Sequence, residues 1–267
     1  MKKTILVTGS TDGIGKATAK TLLDQGHRVL IHGRSKEKLA SVKTELSENQ
    51  NSADIETYAA DLSNFEQVKQ LAEQVAQNHG HLDVLINNAG VFKVPQKIAA
   101  NGLDVRFVVN TIAPYLLTLK LIPLLGKAGR VINLSSAAQA PLDPSVLNTP
   151  HNSSDDTVYA QSKLALTMWS RHLAQKQGAD GPIIVAINPA SLLGSNMVKE
   201  AYGIEGKDLQ VGADILVRAA LSDKFANASG LYFDNDRGQF SNPHPDALDP
   251  GKIRDLTQKL DAIIASQ

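Results

Sequence analysis

Short apolar runs alternate with longer segments of helical pattern along this chain, and no other sequence feature restricts its fold as much. The runs are rich in β-branched residues and often bounded by Gly or Asp, as strands buried on both faces are. They predict strands at residues 4–8, 28–32, 55–59, 84–87, 130–134, 183–188 and 231–233. Alternating strands and helices form parallel sheets with right-handed crossovers. The sequence therefore predicts an α/β fold, a doubly wound parallel sheet of about seven strands with helices on both faces.

Helix boundaries are indicated by capping residues between the predicted strands. Ser63 stands three residues before Glu66, a capping-box spacing that predicts the start of a helix closed by Gly80. Ser35 is predicted to cap the helix after the second strand, and Gly26 to end the first helix. No repeat or Ser/Gly linker interrupts the pattern, so we expect residues 1–267 to form a single domain.

Charge and cysteine content limit the possible functions. The 27 Lys and Arg residues balance 27 Asp and Glu residues, which supplies no field for nucleic acid or anionic lipid. The absence of cysteine excludes disulfides, a thiolate nucleophile and a Cys-ligated zinc site. The sequence predicts no metal site.

The apolar stretches are too short for a signal peptide or a membrane span. The run before Gly9 is shorter than a signal-peptide core. The apolar stretch at residues 116–125 is interrupted by Thr118, Lys120 and Pro123 and falls short of the ~20 apolar residues of a span. We expect a soluble, cytoplasmic protein without a membrane span.

A glycine-rich motif follows the first predicted strand and opens the first helix. In Thr8-Gly-Ser-Thr-Asp-Gly-Ile-Gly15, Gly9 permits a tight turn, Gly13 a close approach to pyrophosphate, and Gly15 helix–strand packing. The helix N-terminus adds unpaired N–H groups and a positive dipole end. The motif predicts dinucleotide binding by Gly9, Ser10, Thr11, Gly13, Ile14 and Gly15.

The end of the second strand indicates which dinucleotide is bound. An acidic residue there would accept hydrogen bonds from the ribose of NAD and repel the extra phosphate of NADP. Here the strand ends with Gly33 and Arg34, and the guanidinium suits a phosphate. NADP(H) is therefore favoured over NAD(H), although Arg34 could instead be a solvated residue at a helix entry.

Tyr159 and Lys163 lie one helical turn apart on one face. A phenol with an ordinary pKa of about 10 holds its proton too tightly to exchange it readily at neutral pH. A nearby ammonium favours the phenolate and lowers that pKa. The pair predicts acid/base chemistry at a carbonyl or alcohol oxygen.

The glycine-rich motif is followed along the chain by Asn-Asn-Ala-Gly at residues 87–90, Asn110, Ser136 and the Tyr159–Lys163 pair. The order of these motifs resembles that of the short-chain dehydrogenase/reductase family, which has a Rossmann fold. The resemblance implies that Ser136 polarises the substrate oxygen, with Ser135 as the alternative. It also implies that Asn110 holds a water that links Lys163 to solvent for proton relay.

The resemblance implies further cofactor contacts. Asp61 and Leu62 match the positions that contact the adenine, whereas Asp12 stands where many NADP-dependent relatives carry Lys or Arg. Ala190 and Gly194 replace the usual Gly and Thr after the sixth strand, which leaves Ser191 or Ser195 to bond the nicotinamide amide. The remaining cofactor residues implied are Asn88, Ala89, Gly90, Tyr159, Lys163 and Pro189; Asn87 could equally be structural.

The chain resembles the retinol-dehydrogenase-like branch at residues 129–136 and 159–164, and a similar extension to its additional segment at residues 140–157 occurs there. The substrates of that branch are often apolar aldehydes or ketones. Residues 192–210 are expected to form a substrate lid, with Leu193, Met197 and Tyr202 as its apolar inner face. The sequence thus predicts an oxidoreductase that transfers hydride between NADP(H) and a carbonyl or alcohol, and it allows a homo-oligomer. Two rival interpretations are a sugar epimerase or dehydratase of the extended branch and an NADP(H)-binding regulator without turnover.

Overall fold

The computed structural model describes residues 1–48, 54–147 and 153–267, and its centre is one eight-stranded sheet. The strands are β1 (Thr4–Val7), β2 (Arg28–Gly33), β3 (Ile55–Ala59), β4 (Val84–Asn87), β5 (Arg130–Leu134), β6 (Ile183–Asn188), β7 (Tyr232–Asp234) and β8 (Gln239–Ser241). Their order is β3-β2-β1-β4-β5-β6-β7-β8, parallel except for β8, which pairs antiparallel with β7. The doubly wound α/β prediction is confirmed; β8 is the strand that it missed.

Helices cover both faces of the sheet. They are α1 (Gly13–Asp24), α2 (Lys36–Ser47), α3 (Phe65–Asn78), α4 (Val105–Phe107), α5 (Ala113–Leu125), α6 (Asp155–Gln177), α7 (Asn196–Tyr202), α8 (Leu209–Leu221) and α9 (Pro250–Ala265). Neighbouring strand residues point to opposite faces. In β1, Leu6 packs with α3, α5, α6 and α9, whereas Ile5 and Val7 pack with α1, α2 and α8. Strand β1 is therefore buried on both faces.

Two of the three predicted caps are confirmed. The Ser35 hydroxyl accepts a hydrogen bond from the Lys38 amide at 3.1 Å, and Gly26 follows α1 with φ +82°. The N-cap of α3 is Asn64, however, whose side chain accepts from two backbone amides of the first turn. The capping box predicted at Ser63 is wrong by one residue because Asn64 is an equally strong capping residue.

One helical segment is longer and more apolar than the sequence analysis expected. Helix α4, a π-helical turn at Val108–Ile112 and α5 follow without interruption, and the segment Val105–Leu125 is long and apolar enough to cross a membrane. In the fold, 67% of its most apolar window is buried, as in the core helix of a globular protein. The expectation that no stretch reaches this length is therefore wrong.

The two irregular segments predicted from the sequence are partly ordered into helix. Helix α6 begins at Asp155, inside the predicted insertion 140–157, and a 3₁₀ turn occupies Pro144–Leu147. Residues 148–152 of this insertion lie outside the described residues. In the predicted lid, α7 forms, Leu193 pairs with Lys207 in an isolated bridge, and α8 begins at Leu209.

Candidate active site

A cleft of about 930 Å³ lies at the carboxyl ends of the parallel strands, on either side of the point where the strand order reverses between β1 and β4. Ligand sites of open α/β sheets lie at such a switch point. The predicted residues that line this cleft are Gly9, Thr11, Gly13, Ile14, Gly15, Arg34, Asp61, Leu62, Asn88, Ala89, Gly90, Tyr159, Lys163 and Pro189, together with the alternatives Ser135 and Ser195. Asn110 and Ser136 do not line the cleft themselves and lie next to residues that do. The fold thus brings together most of the residues predicted to bind the cofactor.

Glycines leave the backbone of the first turn open for a ligand. A Cβ on Gly15 would lie 2.3 Å from the Gly9 carbonyl oxygen and 2.4 Å from Asn88 Nδ2. A Cβ on Gly9, which has φ +65°, would lie 2.8 Å from Ala89 Cα. Asn88 Nδ2 donates to the Thr8 and Gly9 carbonyl oxygens at 2.9 and 3.1 Å. This close packing and the N-terminus of α1 fit a dinucleotide pyrophosphate.

Ser10 lies on the opposite side of the same turn. Its side chain is fully buried, its hydroxyl donates to the Val7 carbonyl at 2.8 Å, and it accepts from the His32 amide at 2.9 Å. Ser10 does not line the cleft, so its predicted contact with the cofactor is not supported by the position of its side chain.

His32 at the end of β2 was missed by the sequence analysis. Its Nδ1 accepts from the Gly9 amide at 3.1 Å, and its Nε2 lies 3.1 Å from the Ala60 carbonyl oxygen, which requires the neutral tautomer protonated on Nε2. Burial lowers the pKa of His32 to about 4. The imidazole therefore fixes the glycine-rich turn to the segment after β3; a histidine within an apolar strand was the available signal.

Two cationic side chains lie at the end of the cleft next to β2, where the adenosine part of a dinucleotide is expected. Arg34 lines it, as predicted, and Lys38 in the first turns of α2 lines it as well. Lys38 Nζ is 4.0 Å from the carboxylate of Asp12, which also accepts from the Gly13 amide at 2.8 Å. Lys38 was not predicted from the sequence, although it lies only four residues beyond Arg34.

Tyr159 and Lys163 project from α6 into the cleft. Lys163 Nζ lies 5.7 Å from the Tyr159 ring centroid and donates to the Leu134 carbonyl oxygen at 2.8 Å. Burial raises the pKa of Tyr159 to about 12, only partly opposed by a hydrogen bond with Ser136, and burial lowers the pKa of Lys163 to about 8. The pKa of the phenol is thus shifted opposite to the predicted direction, because burial outweighs an ammonium directed at a backbone carbonyl.

The two candidate serines after β5 have different surroundings. The Ser136 side chain hydrogen-bonds to Tyr159 and accepts from the Ala138 amide at 3.1 Å. The Ser135 hydroxyl is buried against α6, 2.7 Å from the hydroxyl of Thr167. Of the two, Ser136 is the one next to the phenol.

Asn110 lies in the π-helical turn and is fully buried. Its Oδ1 accepts from the Val91 amide at 2.7 Å, and its Nδ2 donates to the Val91 carbonyl at 2.8 Å and to the Ser162 hydroxyl at 3.0 Å. A Cβ on Gly90 would lie 3.4 Å from Asn110 Oδ1 and 3.3 Å from Lys163 Nζ. Asn110 is thus a close neighbour of the Lys163 ammonium, in a helix distortion typical of functional sites.

Asn87 faces away from the cleft. Its Nδ2 donates to Asn133 Oδ1 at 2.8 Å and to the Thr118 hydroxyl at 3.1 Å, inside the core between β4, β5 and α5. Of the two alternatives left open by the sequence, these contacts favour a structural role.

The two serines considered for the nicotinamide contact are also separated by the fold. Ser195 lines the cleft and caps α7, its hydroxyl accepting from the Val198 amide at 3.3 Å. The Ser191 hydroxyl donates to Asp236 at 2.6 Å and does not line the cleft. The position of the side chains therefore supports Ser195 and not Ser191.

The substrate end of the cleft is apolar and aromatic. The Phe92 ring lies 4.9 Å from that of Tyr159 and 5.9 Å from that of Tyr202 in α7. Met197 lines the cleft, whereas Leu193 is buried and Tyr202 is 54% exposed, so the predicted inner face of the lid is formed in part. The other apolar lining residues here are Val91, Val94, Pro95, Ile98, Ala99 and Val109.

Comparison with known proteins agrees with this geometry. A family model described as short chain dehydrogenase matches residues 3–203. Human retinol dehydrogenase 13 is 27% identical over 95% of this chain and 82% of its own length. Mouse retinol dehydrogenase 12 is 30% identical over 86% of this chain and 77% of its own length.

Solved structures agree as well. The Pseudomonas aeruginosa RhlG/NADP active-site complex superposes with a TM-score of 0.71 at 25% identity, covering 88% of this chain and 95% of that one. The family match includes the glycine-rich turn, Asn110, Ser136, Tyr159 and Lys163. The chain therefore belongs to the short-chain dehydrogenase family of oxidoreductases and is similar to its retinol-dehydrogenase-like branch.

Proposed function

We propose that this protein is an NADP(H)-dependent oxidoreductase that reduces the carbonyl group of an apolar small molecule, or oxidises the corresponding alcohol. The observation that carries the proposal is that Tyr159 and Lys163 line one end of the cleft together, and that the Ser136 side chain hydrogen-bonds to Tyr159 there. NADP(H) bound in this cleft would supply or accept the hydride. Relatives whose structures hold NADP support this cofactor.

The residues of the chain would handle the proton and the substrate oxygen. A phenol with a pKa of about 12 keeps its proton at neutral pH and can donate it to a carbonyl oxygen, which suits the reductive direction. The Ser136 hydroxyl can donate a second hydrogen bond to that oxygen. The buried ammonium of Lys163 lies close enough to stabilise the phenolate that forms.

The lining of the cleft supports an apolar substrate. Phe92, Val109 and Met197 and their neighbours give the end near Tyr159 an apolar wall. Apolar walls with a few convergent polar groups bind apolar ligands and orient one functional group. The oxygen of the substrate would be placed at Tyr159 and its hydrocarbon part against Phe92.

The catalytic assignment is tested with Tyr159→Phe, which removes the proton donor and keeps the ring. We expect turnover of NADPH with a panel of aldehydes, ketones and quinones to fall by roughly 10²–10⁴-fold, while NADPH binding followed by fluorescence is retained. The control is Tyr58→Phe, which removes a hydroxyl remote from the cleft and should leave turnover unchanged.

Two outcomes would count against this assignment. Retention of most activity in Tyr159→Phe would refute the role of the phenol. Tight NADPH binding by the wild type without turnover of any compound in the panel would favour a cofactor-binding regulator.

The cofactor preference is tested with Arg34→Ala and Lys38→Ala. Each loss of a charge-assisted contact with the extra phosphate should weaken NADPH binding by roughly tenfold or more and leave NADH binding nearly unchanged. Lys36→Ala is the matched control, because Lys36 is exposed on the same helix and does not line the cleft. An unchanged ratio of NADPH to NADH affinity in both variants would rule out this phosphate site.

A further inference from the structure

The backbone at the base of the lid is strained. Among the described residues, only Ala190 and Leu192 combine a positive φ with a side chain, at +123° and +58°. L residues adopt these conformations rarely, and surrounding contacts must hold them in place. Both flank Ser191, at the point where the chain leaves β6 and enters the lid.

A single carboxylate holds the residue between the two strained positions. Asp236, in the turn between β7 and β8, accepts from the Ser191 amide at 2.9 Å and from the Ser191 hydroxyl at 2.6 Å. The same carboxylate accepts from Asn188 Nδ2, at the end of β6, at 2.9 Å. Lys207 Nζ, at the far end of the lid, lies 3.9 Å away.

Neighbours of Asp236 strengthen this attachment. Asn235 Nδ2 donates to the Pro189 carbonyl oxygen at 2.9 Å, and Asp234 accepts from Asn188 Nδ2 at 2.9 Å. The turn and the end of β7 therefore contact Asn188, Pro189 and Ser191, which lead from the end of β6 to the base of the lid. It lies outside residues 3–203 that match the family model.

We propose that Asp236 is a positioning residue that latches the strained base of the lid and so holds the lid over the cleft. The lid carries Ser195, Asn196 and Met197 into the cleft lining, and Asn196 also hydrogen-bonds to Asp12 beside the glycine-rich turn. When the latch is released, Ala190 and Leu192 can relax to ordinary backbone conformations, and these lining residues lose their fixed positions. The effect on substrate rests on the proposed function; the latch itself does not.

The test compares the wild type with Asp236→Asn. The carboxylate accepts three hydrogen bonds from Ser191 and Asn188, whereas an amide has one oxygen and turns an NH₂ group toward one of these donors. We expect amide hydrogen exchange of residues 190–207, and tryptic cleavage after Lys199 and Lys207, to accelerate by roughly tenfold or more. The KM for substrate should rise more than kcat falls.

Two further variants make the test specific. Asp180→Asn changes a carboxylate whose side chain is 94% exposed and which pairs only at the surface with Lys127, so exchange in the lid should be unchanged. Ser191→Ala should accelerate exchange of the same residues. If Asp236 acts through Ser191, the exchange of these residues in the double variant should be accelerated by less than the sum of the effects of the two single substitutions, expressed as free energies.

The possible results separate the latch from the proposed function. Unchanged exchange of residues 190–207 in Asp236→Asn would overturn the latch, as would faster exchange spread evenly over the molecule with a lower melting temperature. Faster exchange confined to these residues in a protein that turns over no compound of the panel would support the latch and count against the proposed activity.

Discussion

At the scale of single residues, Gly15 controls the shape of the glycine-rich turn. We expect Gly15→Ala to cost about 1–3 kcal/mol of unfolding free energy, because the new Cβ meets the Gly9 carbonyl and the Asn88 amide, which cannot both move. NADPH affinity should fall by roughly tenfold or more. Gly80→Ala is the control, since a Cβ there meets nothing within 4 Å and the φ of Gly80 lies outside the positive range that side chains rarely adopt. Urea unfolding and fluorescence titration measure both effects, and equal behaviour of the two variants would contradict the packing argument.

Neighbouring serines show what residue-level reasoning from the sequence misses. Ser135 and Ser136, and likewise Ser191 and Ser195, have the same chemistry in the sequence. The fold turns Ser136 toward Tyr159 and Ser135 toward Thr167, because successive residues at the end of a strand point in opposite directions. Ser191 is occupied by Asp236, a residue 45 positions away, which no local pattern indicates.

At the scale of secondary-structure elements, an ion-pair network joins α4 to the start of α6. The Arg106 side chain is 1% exposed and donates from Nε and Nη2 to Asp104 at 2.9 and 2.6 Å. Its Nη1 donates to Asp155 at 2.6 Å, one turn before Tyr159. Lys97 lies 2.8 Å from the same Asp155 oxygen. The network fixes the N-terminal turn of the helix that carries the predicted catalytic pair.

Arg106→Ala should therefore be strongly destabilising. Removal of one partner leaves the buried Asp104 carboxylate unpaired, at a cost of about 3–5 kcal/mol. The control is Lys127→Ala, because Lys127 and Asp180 form an exposed pair that contributes at most ~1 kcal/mol. Denaturant unfolding of both variants measures the difference, and a loss below about 1 kcal/mol in Arg106→Ala would show that the network does not hold the helix.

Elements with strong local signals were predicted well, and those without were not. The six strands β1 to β6 are β-branched and apolar, and each was found within one residue of its bounds. Strand β8 has three residues, two of them exposed, and forms only because β7 offers a free edge. The predicted insertion extended to residue 157, past the start of α6 at Asp155, because the polar residues around Ser154 are typical of both a loop and an N-cap.

At the scale of the whole molecule, His32 makes stability depend on pH. Its pKa is about 4 in the fold and 6.5 for an exposed histidine, so the unfolded chain binds the extra proton between these values. The contribution of the neutral His32 to the free energy of unfolding is complete above pH 6.5 and is lost as the pH falls toward 4. The shift corresponds to roughly 3 kcal/mol.

We expect His32→Leu to be less stable at neutral pH, and its unfolding free energy to fall less steeply than that of the wild type between pH 6.5 and 4. The control is His81→Leu, since the His81 side chain is 59% exposed and should not change the slope. Urea unfolding across this range measures the slopes. Equal slopes for wild type and His32→Leu would show that the imidazole is not held neutral.

The sequence by itself determined the α/β architecture, the position of the cleft and most of its lining, because strand–helix alternation, glycine spacing and the Tyr159–Lys163 turn are local patterns with a fixed physical meaning. That residues 1–267 form one domain stays a prediction. Only the tertiary structure decided which serine faces the phenol, that burial raises the pKa of Tyr159, that His32 and Lys38 line the cleft, and that Asp236 accepts hydrogen bonds from Ser191 at the base of the lid. Side-chain direction, burial and partners distant in the chain exist only once the sheet has assembled, so no local pattern encodes them.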